Sequence, residues 1–127
     1  MFVSTNDSRI RLFKDYVLIH KYKGHDCSRI YSPISVTEDL KFVVSGSQNG
    51  RIYVWDTMAQ ESNCIKLKQY ECFQPRCKKK HEYCLLAPAK VMQNFRNLYK
   101  TESGDVISIL ITAGSKDTLR IFANFEL

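Results

Sequence analysis

Residues 41–56 read Lys41-Phe42-Val43-Val44-Ser45-Gly46-Ser47-Gln48-Asn49-Gly50-Arg51-Ile52-Tyr53-Val54-Trp55-Asp56, and this stretch decides the fold. Two runs rich in β-branched and aromatic residues flank Asn49-Gly50. Asn and Gly both tolerate positive φ, so the pattern predicts a β-hairpin closed by a type I′ turn. Across the first half of the chain apolar residues recur with period two, with Val17, Ile19 and Tyr22 in one short run, the signature of a strand and not of a helix.

The same unit recurs upstream and downstream. Phe2-Val3, the turn residues Asn6-Asp7 and then Ser8-Arg9-Ile10-Arg11-Leu12-Phe13 form one copy. Ile107–Thr112, the turn Gly114-Ser115-Lys116-Asp117 and then Thr118-Leu119-Arg120-Ile121-Phe122 form another. Phe13 and Trp55 stand 42 positions apart, and Trp55 and Phe122 stand 67 apart. The first interval fits the roughly 40–45 residues of a four-stranded propeller blade; the second fits a blade carrying about 25 extra residues.

The wording inside these units resembles the WD-repeat family. Gly24-His25, Ile30–Thr37, Phe42–Ser47, Asn49-Gly50 and Ile52–Trp55-Asp56 are similar to one whole repeat, with its Gly-His opening and Trp-Asp close. The flanking copies read Phe13-Lys14 and Phe122-Ala123 where that family has Trp-Asp. Ser8–Phe13, Tyr22-Lys23-Gly24 and Val44–Ser47 are also similar to a WD-repeat subgroup that includes Rab-GTPase effectors. The resemblance implies an all-β fold: a partial WD40 β-propeller, one complete four-stranded blade flanked by two incomplete blades. The expected division is 1–23 for the end of one blade, 24–71 for the complete repeat, 72–82 for a basic loop insertion and 83–127 for a last, incomplete blade. It further implies a hydrogen-bonded network of His25, Ser45, Asn49 (where the family has Asp) and Trp55. Such a network satisfies buried indole and imidazole nitrogens, which need partners.

A closed propeller needs about four to eight blades, on the order of 160 residues or more. The chain has 127. The expectation is therefore the C-terminal end of a longer WD-repeat protein, whose isolated piece, with open strand edges, self-associates.

Composition narrows the function classes. Hydrophobic residues make up 44% and no apolar run approaches the roughly 20 residues of a membrane span. The start, MFVSTNDSRIRLF, has no apolar signal core, and five cysteines are an odd set for a disulfide framework. A cytoplasmic chain is expected. Cys27, two residues after His25, invites a Cys–His dyad; no third orienting group is evident, and on an extended backbone neighbouring side chains are expected to part. With no acid–base pair or phosphate-cradling glycine loop, no enzyme, small-molecule substrate or cofactor is expected.

Residues 58–103 break the rhythm. Cys64–Tyr70 alternates and is expected to supply the outer strand of the complete blade, and Cys84–Lys90 the inner strand of the last. Val91–Tyr99 fits a strand extension or a helical turn equally. The formal charge is +6, and Arg76, Lys78, Lys79 and Lys80 form its densest cluster. A solvated loop, an acidic membrane surface (phosphoinositide), an acidic protein and RNA are all compatible with it. Cys72, Cys77, His81 and Cys84 are ligands of the type zinc takes, although C-x4-C-x3-H-x2-C is not the usual paired spacing. The leading expectation is a non-catalytic scaffold that binds other proteins, a small GTPase being implied by the subgroup resemblance.

Overall fold

The computed structural model describes residues 1–29, 31–58, 66–67, 71–75, 82–98, 106–114 and 118–125. The described strands form three small sheets of three or four strands each. In the first, β1 (Phe2–Thr5), β2 (Arg9–Lys14) and β3 (Val17–Tyr22) make an antiparallel meander. In the middle sheet, β4 (Ile34–Val36), β5 (Phe42–Gly46) and β6 (Ile52–Asp56) do the same. β7 (Lys66–Leu67) and β8 (Glu71–Phe73) close these two sheets, on β3 and β6 respectively. The third sheet is β9 (Glu82–Leu86), β10 (Val106–Gly114) and β11 (Thr118–Phe125), with α1 (Ala89–Leu98) between β9 and β10. The result is an all-β arrangement with one helix, in the manner of an incomplete propeller. No helix among the described residues is long and apolar enough to cross a membrane.

Period two explains the stacking. On β5, Val43 turns toward the first sheet and packs with Ile10, Tyr22, Tyr53 and Trp55. Its neighbour Val44 turns the other way and packs with Ile52, Cys84 and Leu110. The middle sheet is thus apolar on both faces, as a sheet sandwiched between two others must be. Leu86 N–H donates to Ser35 Oγ at 3.0 Å, and the Phe73 and Phe122 rings meet edge-on at 5.8 Å, fastening the second seam. On the far side of the third sheet, Met92 of α1 packs on Ile109, with Ala87 and Ile111 beside them.

Three local expectations are corrected. The Asn49-Gly50 hairpin forms, with Gly46 opposite Ile52, but its turn is not type I′. Gly50 alone has positive φ (77°); its N–H donates to Ser47 O, and Asn49 Oδ1 accepts from Arg51 N–H. The middle sheet takes its fourth strand from Glu71–Phe73, not from Cys64–Tyr70. Within that earlier stretch Lys66–Leu67 instead pairs, in parallel, with β3 of the first sheet. The strand expected over Cys84–Lys90 runs Glu82–Leu86, and α1 follows. Pro88 sets that change: it has no N–H for a ladder, while its carbonyl accepts from Val91 and Met92 as the helix begins.

The type I′ turn is found elsewhere, between Lys14 and its partner Val17, at Asp15 (φ 49°) and Tyr16 (φ 65°). Asp suits the left-handed region; tyrosine, with its Cβ, is strained there, and this one is fully exposed. Tyr16→Gly is therefore expected to stabilise the chain by about 0.5–1 kcal/mol, after the entropy glycine adds to the unfolded state. Thermal unfolding checks this: a raised midpoint agrees, and an unchanged or lowered one shows that the turn carries no strain.

Candidate functional site

The residues expected to form a network meet where the first and middle sheets join. Gly24–Ser28 crosses from one hairpin turn to the other. Asp26 N–H donates to Ser47 Oγ (2.9 Å) and Gln48 N–H donates to Asp26 O (2.9 Å), tying the segment to the middle sheet. Cys27 N–H donates to Ser8 Oγ (3.0 Å), and the Cys27 thiol reaches Thr5 O at 3.4 Å, tying it to the first. Ser8 presents that oxygen from a left-handed backbone (φ 57°), at the repeat position where the middle sheet has Gly50.

Within this clamp His25 is buried, and its ring stands edge-on to Trp55, with centroids 5.2 Å apart. Trp55 is also fully buried, stacked on Tyr53 at 5.9 Å and tilted against Tyr22 at 6.3 Å. Its indole N–H donates to Lys23 O at 3.0 Å. The four expected residues are thus drawn near one another but not into one chain of hydrogen bonds. Ser45 Oγ donates to Gly46 O, and Asn49 Nδ2 donates to the Tyr53 hydroxyl at 2.8 Å. His25 Nδ1 is buried with no hydrogen-bond partner. The bonds that do fasten the junction use Lys23 O, Asp26, Ser47 and Ser8. Only the repeat alignment of Ser8 with Gly50 hinted at any of them.

The expected parting of His25 and Cys27 is corrected: His25 Nε2 lies 3.4 Å from Cys27 Sγ. Residues two apart share a face even on an extended strand, so alternation gives no ground for parting this pair, and the loop path of Gly24–Ser28 brings the two atoms into contact. The electrostatics nevertheless oppose a nucleophile. Burial, with help from the Arg9 charge, lowers the His25 pKa to about 4, and burial pushes the Cys27 thiol up. A neutral imidazole against a protonated thiol is the reverse of an activated thiolate pair.

Cys72 and Cys84 are the described members of the candidate zinc set; Cys77 and His81 lie outside the described residues. Cys72 packs with the cluster facing the first sheet, whereas Cys84 packs with the cluster facing the third. Opposite faces of the middle sheet cannot share a metal bound at about 2.3 Å. Cys72 Sγ accepts from Arg51 at 3.7 Å. Among the described residues no three His, Cys, Asp or Glu side chains are grouped to hold a metal ion. Arg76, Lys78, Lys79 and Lys80 also lie outside the described residues. A groove of about 460 Å³ opens along the second seam, lined by Val44, Val54, Phe73, Leu110 and Phe122, with Glu71 the one acidic group among the described residues that line it. It offers apolar contact and no acid–base pair.

In the same β1–β2 turn that supplies Ser8 to the clamp, Asp7 accepts from both Arg11 Nη groups. The Arg11 guanidinium and the Thr5 hydroxyl hold the Asp7 carboxyl well below the usual carboxylate range.

Comparison with known proteins agrees with this architecture in part. The chain is 42% identical over 57 residues to WD repeat-containing protein 44 of Xenopus laevis, a match covering 43% of this chain. The match spans only 6% of the length of that relative. No family model matches the chain.

Proposed function

We propose that this chain is a non-catalytic protein-interaction module, part of a cytoplasmic WD-repeat scaffold whose partners include a small GTPase of membrane traffic. The observation that carries the reading is the 42% identity over 57 residues to a WD-repeat protein. Its physical support is an architecture in which the stacked sheets spend their apolar faces on one another and leave turns and outer faces for partners. The fold by itself names no partner, so the GTPase is the part under test. The runner-up reading is an anionic-surface reader working through Arg76, Lys78, Lys79 and Lys80.

The purified chain should be titrated by calorimetry against a panel of small GTPases, each loaded with GDP or a non-hydrolysable GTP analogue. Binding that depends on the nucleotide, and survives charge reversal at Lys78, Lys79 and Lys80, is the expected result. If no GTPase binds, and that reversal instead abolishes salt-sensitive binding to phosphoinositide vesicles or RNA, the anionic-surface reading replaces this one.

A further inference from the structure

Charge is segregated between the sheets. Strands of the first carry Arg9, Arg11, Lys14, Lys21 and Lys66 and no acidic residue. Strands of the middle sheet carry Asp56 and Glu71 and no basic residue. Because Ile10 and Tyr22 are fully buried against the middle sheet, their neighbours Arg9, Arg11 and Lys21 turn to the outer face, where they are half-buried and the Arg9 guanidinium donates to Ser8 O at 2.8 Å. The register sets Arg11 directly opposite Lys21. Like charges across neighbouring strands destabilise a sheet. The first sheet thus carries a cost that an acidic neighbour would relieve. Asp7 answers Arg11 alone; among the described residues Lys21 has no ion pair.

From this placement we propose that the outer face of the first sheet, centred on Arg9 and Lys21, docks an acidic polypeptide whose carboxylates project from an extended strand. Cations on that face repeat at about 4.8 Å across strands and about 6.8 Å along them, the spacing at which another strand presents alternate side chains. Val3, opposite Arg11 on the edge strand, adds apolar contact beside the charges, a mixture typical of protein interfaces. Arg9, Arg11, Lys21 and Val3 give a nucleobase no ring to stack on, which favours a peptide over single-stranded RNA. The proposal rests on the interaction-module reading and deepens it by naming a surface and the chemistry of what binds there.

The test uses the whole chain and a fluorescent peptide alternating glutamate with valine, beside the same peptide with glutamine for glutamate. The glutamate peptide is expected to bind with strong salt dependence and the glutamine peptide not to bind. Lys21→Glu should weaken binding at least about tenfold and Lys21→Gln by less, whereas Lys90→Glu, at an exposed position of α1, leaves it unchanged. Both Lys21 variants are expected to fold, since each removes the opposition to Arg11; circular dichroism verifies it, and Lys21→Gln serves if the reversal does not fold. An affinity within about twofold of wild type in the folded variant overturns the proposal. So does Lys21-dependent binding to phosphatidylserine vesicles or poly-uridylate with none to the peptide. A chain that binds this peptide but no GTPase leaves the docking face standing, and the converse leaves the GTPase reading standing without it.

Discussion

Trp55→Ala is expected to leave the chain largely unfolded at 37 °C. Trp55 is fully buried, and its ring contacts Tyr22, Tyr53 and His25, so truncation opens a cavity at the centre of the first seam. Aromatic-to-alanine changes in cores cost about 3–5 kcal/mol. Domains of this size hold about 5–15 kcal/mol in all, so the loss is a large share of the total. Trp55→Phe keeps most of the apolar contact but strips Lys23 O of its donor, at about 1–2 kcal/mol. Urea unfolding followed by circular dichroism ranks the three chains. The expected order of stability is wild type, then Trp55→Phe, then Trp55→Ala; equal stability of the phenylalanine variant and wild type would show that the indole bond adds nothing.

The second large effect is a loss of stability in acid through His25. Its ordinary pKa of 6.5 falls to about 4 in the folded chain, chiefly because burial penalises the charged ring. The unfolded chain therefore takes up the proton first as the pH drops. Stability is full above about pH 6.5, declines between there and about pH 4, and flattens for this group below. A depression of that size corresponds to about 3 kcal/mol. His25→Phe should remove this part of the pH dependence, because Phe cannot titrate and retains a ring edge for Trp55, giving up only the Nε2 contact with the Cys27 thiol. Unfolding free energies at pH 7, 5.5 and 4 test it. Parallel pH profiles for the two proteins would place the acid sensitivity elsewhere.

How much of this was legible in the sequence depended on whether a residue's role was set locally. The alternation through Phe42–Ser47 and Ile52–Trp55 shows which residues line the two faces of the middle sheet, because period two fixes faces regardless of context. It also marks Cys64–Tyr70 as strand-like, but alternation says nothing about which sheet a strand joins. The parallel pairing of Lys66–Leu67 with β3 is a tertiary fact. Asn49-Gly50 announced a turn; its type followed from Ser47 O and Asn49 Oδ1 taking the available N–H groups, which composition does not reveal. At the candidate site, His25 and Trp55 were visible as motif residues, yet the acceptor for the indole is a backbone carbonyl. Any residue at position 23 would supply that group, so no side-chain pattern could mark it. The His25–Cys27 contact was obscured for the same reason: it depends on a loop path pinned by Ser8 and Ser47 from two different sheets.

The seam between the first two sheets is closed over His25 and Trp55, and the stacking of the sheets depends on that closure. The most direct measurement is a proton NMR titration of the carbon-bound imidazole protons, with the His25 signals assigned by comparison with His25→Phe. A closed seam gives a His25 resonance that titrates near pH 4 and shows nuclear Overhauser contacts to the Trp55 indole. A His25 ring that titrates at the ordinary 6.5 with no such contacts would mean that water reaches it, and that the sheets do not stack as described.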